Sequence, residues 1–281
     1  MPLAGQTVLI TGAGSGIGRA LAIEASRRGM KLTIVGRRRE PLEETRCQLV
    51  APAESLAVVA DVTSPAGRQR LRTQVAEMWG YLNLLVNNAG IIAAGPLSDL
   101  RDGDLDRLIA TNLSAPIALT RELLPLLRAG TPSRVINVGS LAGDIALPLF
   151  ASYSATKFGL RGFSNALRRE LKGLGIGVTH VAPRGVQTDA AAAVAHFAKA
   201  LGMPVGDSAA AVAARIWDAV DRGADTLYPR GRERLFVLVE RLFPAVITRA
   251  LRRQLEIGGG NRLIEDDAAF RPSVSRILKN P

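Results

Sequence analysis

A chain of 281 residues, 47% of them hydrophobic, is long enough to bury a large core and suits one α/β domain better than a disordered or fibrous chain. The formal charge of +11 is made largely by arginine, since lysine occurs only at positions 31, 157, 172, 199 and 279; with 4% aromatic residues and no nucleic-acid motif, this basicity points to phosphates, acyl carriers or anionic lipid surfaces and not to nucleic acid. The single cysteine, Cys47, expected as a half-buried helix residue, excludes an intramolecular disulfide and fits a reducing, cytoplasmic compartment. No Cys/His cluster has metal-ligand spacing, so no metal site is expected, and no apolar run reaches the roughly 18–20 residues that cross a bilayer. The first strand begins so near residue 1 that no room is expected for a cleaved signal peptide.

Residues 7–10 (Thr-Val-Leu-Ile) are a β-branched and apolar run of the kind that forms a buried parallel strand. They lead into Thr11-Gly12-Ala13-Gly14-Ser15-Gly16-Ile17-Gly18 and then a helical pattern over 19–25. Glycines at 12, 16 and 18 allow a tight turn, close backbone approach to a pyrophosphate and close helix–strand packing, and the helix N-terminus offers N–H groups to phosphates. Further strands are expected at 31–35, 56–59, 82–86, 134–138 and 178–181, and helices at 40–49, 66–78, 104–127, 153–171 and 208–222. This alternation gives a Rossmann-type, doubly wound parallel sheet with helices on both faces and ligands at the carboxyl edge. Asp61, Asn88 and Ser140 all fall just past strand ends. On the helix from 153, Tyr153 and Lys157 are four residues apart and share a face. An ammonium there is expected to draw the phenol towards phenolate, from an ordinary pKa of about 10.

With these residues in hand, the sequence resembles the classical short-chain dehydrogenases/reductases over about residues 7–190: Thr11 to Gly18 fits T-G-x-x-x-G-x-G, and Asp61-Val62, Asn87-Asn88-Ala89-Gly90, Asn112, Ser140 and Tyr153 with Lys157 follow in order. The resemblance implies hydride transfer between a nicotinamide cofactor and a carbonyl or alcohol. It implies that Tyr153 gives the proton, Ser140 donates to the developing oxyanion, and Lys157 lowers the Tyr153 pKa and bonds the nicotinamide ribose. Asn112 would bend its helix, hold a water and relay protons to Lys157. Thr11, Gly12, Ser15, Gly16, Ile17, Gly18, Asp61, Val62, Asn88, Ala89 and Gly90 would hold the dinucleotide, with Asp61 on the adenine amino group, and Pro183, Val186 and Thr188 would lie near the nicotinamide. Alone, Asp61 could equally cap the following helix.

NAD-specific relatives place a carboxylate at the end of the second strand, where this chain has Gly36 followed by Arg37-Arg38-Arg39. A guanidinium can take a 2′-phosphate through paired hydrogen bonds, so NADP(H) is expected over NAD(H), with Arg37 as the main contact and Arg38 and Ser15 as helpers. Three arginines opening an exposed helix is the competing explanation. Arg184 departs from the family, standing where relatives carry glycine after Pro183; it would strain the turn unless Gly185 takes it over, or it would face an acidic substrate group.

The chain divides into a catalytic domain, 1–229, and a basic amphipathic extension, 230–281. Residues 189–206 are expected as an alanine-rich helical lid over the substrate. Between 222 and 253 eight arginines face Asp225, Glu233 and Glu240, a net charge of +5, and Pro244 should divide the helix. This extension could pack on the domain or cover a substrate tunnel, form the interface of a homodimer or homotetramer, or make peripheral membrane contact through 230–255. After Gly258-Gly259-Gly260-Asn261 the tail is expected to be loosely held. The expected activity is an NADPH-dependent reduction of a hydrophobic ketone or aldehyde, or the reverse on a secondary alcohol; the alternative is a catalytically silent NADP-binding scaffold or sensor.

Overall fold

The computed structural model describes residues 2–203 and 206–265. Its first half alternates strand and helix: β1 (Thr7–Thr11), α1 (Gly16–Arg27), β2 (Lys31–Gly36), α2 (Arg39–Cys47), β3 (Ser55–Val59), α3 (Pro65–Trp79), β4 (Leu84–Asn87), α4 (Asp102–Ile109) and α5 (Ala115–Ala129). Then come β5 (Ser133–Val138), α6 (Ala151–Leu171), β6 (Ile176–Val181), β7 (Val186–Gln187), α7 (Asp189–Ala192), α8 (Ala195–Ala200), β8 (Asp207–Ser208), α9 (Ala209–Asp221) and β9 (Thr226–Leu227). Helices α10 (Glu233–Leu242), α11 (Pro244–Ile257) and α12 (Gly260–Glu265) complete the described chain.

Seven strands form one parallel sheet in the order β3-β2-β1-β4-β5-β6-β9, and β7 pairs with β8 in a separate small ribbon. Side chains alternate across the sheet. Val8, Ile10, Leu84, Val86, Ile136 and Val138 join one buried cluster with α1 and α9. Leu9, Leu85, Val135 and Val178 join another with α3, α5 and α6. Period-two alternation in strands that are apolar on both faces is what a sheet covered twice requires. Trp217, fully buried on α9, donates from its indole N–H to the Leu21 carbonyl of α1 at 3.1 Å. Helix α3 starts and stops as its sequence directs: Ser64 caps it by accepting from the Gly67 N–H at 3.3 Å, Pro65 opens it, and Gly80 ends it with φ +73°.

Three departures from the sequence expectation have physical causes. The single helix expected over 104–127 is α4 and α5 joined by a π-helical turn, Ala110–Ser114. Pro116 has no N–H for the carbonyl of residue 112, so the α-helical ladder cannot run through this point. The alanine-rich lid segment is two short helices, because Val194 and Phe197 turn inward onto Leu149, Phe150 and Leu255 in a third apolar cluster. Cys47 is exposed at the end of α2, not half-buried. Pro244 does divide its helix, standing at the first position of α11. The tail 266–281 lies outside the described residues.

Candidate active site

The turn after β1 needs its glycines. Gly12 and Gly16 have φ +66° and +51°, and a Cβ on Gly18 would sit 2.1 Å from the Gly12 carbonyl oxygen. The Thr11 hydroxyl, which donates to the Val86 carbonyl at 3.2 Å, accepts from the N–H groups of Asn88 and Ala89, both at 3.0 Å, so the β1 and β4 ends are tied together. The Asn88 amide donates to the Thr11 carbonyl at 2.9 Å. Ser15 precedes α1 without a side-chain cap, which leaves the first-turn N–H groups to an anionic ligand.

These elements border a cavity of about 300 Å³. Of the residues expected from the sequence, Gly12, Ser15, Gly16, Ile17, Arg37, Arg38, Asp61, Val62, Asn88, Ala89, Gly90, Tyr153, Lys157 and Thr188 line it. Thr11 and Gly18 stand behind its wall as braces. Asn112, Ser140, Pro183 and Val186 are not part of the lining; Val186 is buried in the core cluster of α9, and the Pro183 carbonyl accepts from the Leu141 N–H at 2.9 Å, joining the β6 loop to the turn after Ser140. Sequence reasoning missed Ile91, Ile92, Thr111 and Gly139, which also line the cavity; each lies within two positions of a motif residue, and that closeness was the only available signal. Asp61 does not cap α3, which Ser64 does; its Oδ1 accepts from the Thr63 N–H at 2.9 Å and from the Thr63 hydroxyl at 2.7 Å.

Tyr153 and Lys157 rise from the first two turns of α6, and Ser140 begins the 3-10 turn Leu141–Gly143 after β5. The Ser140 hydroxyl near the Tyr153 phenol favours phenolate, but burial outweighs it and pushes the phenol up to about 12. The sequence expectation of a phenol drawn down by Lys157 is thus corrected for the protein groups alone. The Lys157 ammonium is 5.6 Å from the Tyr153 ring centre and donates to the Val138 carbonyl at 3.2 Å. Burial in turn lowers the Lys157 pKa to about 8. Asn112, buried on the π turn, uses both ends of its amide on the Ile91 backbone, accepting from its N–H at 2.9 Å and donating to its carbonyl at 2.8 Å. Its Nδ2 also reaches the Thr156 hydroxyl on α6 at 3.3 Å. A Cβ on Gly90 would meet Asn112 Oδ1 at 3.3 Å and Lys157 Nζ at 3.7 Å, so glycine there keeps the space between the two open.

Arg184 neither strains its turn nor faces the cavity. Neither it nor Gly185 has positive φ, and its guanidinium bridges Asp207 Oδ1 and Glu233 Oε1, each at 2.7 Å. Among the described residues no group of acidic, His or Cys side chains could hold a metal ion.

The profile of the short chain dehydrogenase family matches residues 6–199, from β1 through α8. The chain belongs to the short-chain dehydrogenase/reductase family. Mouse dehydrogenase/reductase SDR family member 7B is 32% identical over 232 residues, covering 78% of this chain and 72% of the mouse protein. The 3-oxoacyl-[acyl-carrier-protein] reductase FabG of Escherichia coli K12 is 33% identical over 192 residues, 67% of this chain and 77% of that one. A short-chain dehydrogenase/reductase of Burkholderia phymatum, solved in complex with NAD, superposes with a TM-score of 0.79 at 24% identity, over 86% of this chain and 94% of that one. As a family member the protein is an oxidoreductase that acts between CH–OH and C=O groups with a nicotinamide cofactor. The glycine turn, the uncapped start of α1 and the cavity they border fit such a dinucleotide.

Proposed function

We propose that the protein is an NADPH-dependent carbonyl reductase for a hydrophobic ketone or aldehyde, running in reverse as a secondary-alcohol dehydrogenase. The observation that carries this reading is one cavity lined both by Arg37 and Arg38 and by Tyr153 and Lys157. β2 ends in Gly36 where a carboxylate would repel a 2′-phosphate, and Arg37 supplies a guanidinium in its place.

A bound nicotinamide supplies the hydride for the carbonyl carbon. Tyr153, its phenol held protonated by burial, gives its proton to the carbonyl oxygen. Ser140 donates to that oxygen as negative charge develops on it. Lys157 offers a positive charge beside the tyrosine and a donor for the ribose, and Asn112 fixes the 91–92 backbone opposite α6. Gly12, Ser15, Gly16 and Ile17 hold the pyrophosphate. Asp61 and Val62 take the adenine, Asn88, Ala89 and Gly90 admit the adenosine side, and Thr188 positions the nicotinamide end, with Pro183 and Val186 bracing its loop from behind the wall. A hydrophobic substrate is favoured because Tyr153 packs against the apolar cluster of Leu149, Phe150, Phe197 and Leu255, with Ile92 and Met203 at its edge.

The reading takes 1–229 as the catalytic domain, about 189–206 as the substrate lid and 230–281 as an extension; residues 1, 204–205 and 266–281 of these lie outside the described residues. Assembly as a homodimer or homotetramer is supported by the exposed apolar side chains Ile109, Ile117 and Phe158 on α4, α5 and α6. The reading takes the protein as cytoplasmic, with any membrane contact made peripherally through 230–255. Among the described residues no helix is long and apolar enough to cross a membrane. The test is loss of NADPH absorbance with a panel of medium- and long-chain ketones, aldehydes and 3-oxoacyl thioesters. Turnover on at least one class is expected; tight NADPH binding without turnover on any would favour the silent scaffold.

A further inference from the structure

Helix α10 is packed with its polar side inward. Glu233, Val237 and Arg241 recur at every fourth residue and share one face. Glu233 binds Arg184 at 2.7 Å, Val237 is buried, and Arg241 reaches Asp144 Oδ1 at 3.3 Å. Asp144 is itself buried and is also held by Arg161 at 2.9 Å and by the Tyr228 hydroxyl at 2.8 Å. The opposite face carries Leu235, Leu238 and Leu242, which are 51%, 51% and 61% exposed, and Phe243 follows at 62%. A surface helix of a soluble domain normally turns such a stripe to the core and its ions to water. Here the ion pairs anchor the helix and the leucines are left outside.

We infer that the outer face of α10 and the α10–α11 corner dock on an anionic lipid bilayer, with Leu235, Leu238, Leu242 and Phe243 entering the boundary between headgroups and acyl chains. The occupant is chosen by the charge around the stripe. Arg230, Arg232 and Arg234 lie exposed before and within α10, and Arg249, Arg252 and Arg253 lie exposed on α11. Leu and Phe flanked by arginine is the composition of a helix lying in a membrane interface, where anionic headgroups attract the guanidinium groups while the apolar side chains are buried. A second copy meeting the first through this same face would set one arginine rim against another, since a twofold contact repeats the same patch on both sides. The surface also connects to the reaction centre. Leu255 of α11 lies in the apolar cluster that packs against Tyr153, and the inward anchors of α10 end on the loops after β5 and β6. A lipid-like carbonyl compound would meet the protein where it already resides.

The test is co-sedimentation of the full chain with vesicles of phosphatidylcholine alone and with roughly 30% phosphatidylglycerol, with folding followed by circular dichroism and thermal unfolding. It reads binding without turnover, so its outcome is separate from that of the proposed reaction. The parent should bind the anionic vesicles, less at high salt. The triple variant Leu235→Glu, Leu238→Glu, Leu242→Glu should bind about tenfold more weakly or worse with its unfolding transition kept. Arg249→Glu, Arg252→Glu, Arg253→Glu should lose the preference for anionic lipid, which keeps the inference open to refutation if the leucine variant fails to fold. Absence of vesicle binding by the parent, or equal binding by parent and variants, would overturn it. So would a fall in oligomer mass caused by the leucine variant when the parent ignores vesicles, because the stripe would then be a subunit contact.

Discussion

Lys157 carries a cost that its position in the site explains. Burial lowers its pKa from the ordinary 10.5 to about 8. Between those values the unfolded chain still binds a proton that the folded chain has released, so stability rises with pH across that window; below about 8 both forms hold the proton and the buried ammonium destabilises the fold in full. Lys157→Met should therefore be more stable than the parent at pH 7 by roughly 2 kcal/mol, after allowing for the lost hydrogen bond to Val138. The gap should close towards pH 10.5, as denaturant unfolding at several pH values would show. The same residue sets an expectation for rate: kcat/KM for reduction should decline above about pH 8, where the free enzyme loses the ammonium. For Arg37, truncation to alanine should weaken NADPH binding by about 10- to 100-fold and leave NADH binding nearly unchanged; equal losses for both, read by fluorescence titration, would remove the 2′-phosphate contact. Much of the cavity wall was legible at this scale, because Gly12, Ser15, Asp61 and Asn88 follow strand ends and Tyr153 and Lys157 share a helix face that the sequence pattern reveals, whereas Asn112 was named by the family resemblance alone. The pKa of Tyr153 was not, because burial by the whole surrounding fold, and not the Lys157 charge four residues away, dominates it. Nor were the partners of Arg184, which come from Asp207 and Glu233, distant in the chain.

Among elements, the β1–α1 turn is the least tolerant of added bulk. A methyl group on Gly18 would lie 2.1 Å from the Gly12 carbonyl oxygen and 2.6 Å from Asn88 Nδ2, and both of those groups are fixed by the β1–β4 junction. Gly18→Ala should lower stability by about 1–3 kcal/mol and abolish the rise in thermal midpoint that NADPH gives the parent. A midpoint shift equal to the parent's would show that the turn can yield. The long strands and helices were legible from apolar periodicity. The short pieces were not: β9 has two residues, too few for any period, and exists only because β6 offers it an edge. The division of the 104–127 helix is visible in hindsight from Pro116, four residues after Asn112, though proline in a first turn is also an ordinary helix start. For α10 the sequence shows an apolar stripe and a charged one but not which faces inward; Arg184 and Asp144, supplied by other parts of the chain, decide it.

On the scale of the whole molecule, the parallel sheet delivers Gly12, Gly36, Asp61 and Asn88 to one edge, and α6 brings Tyr153 and Lys157 to the same cavity. The family match ends at residue 199, and beyond it α9 packs on the sheet, α10 turns ion pairs inward and leucines outward, and α11 turns Leu255 inward and its arginines outward. The most direct test of the central claim is isotopic. NADPH carrying deuterium at the transferable position would be incubated with the protein and a long-chain ketone, and the product analysed by mass spectrometry. The expected result is an alcohol with one deuterium on the carbinol carbon, formed about 10²–10⁴ times more slowly by Tyr153→Phe at unchanged NADPH affinity. Deuterium absent from every product offered, or transferred as fast by Tyr153→Phe as by the parent, would contradict it.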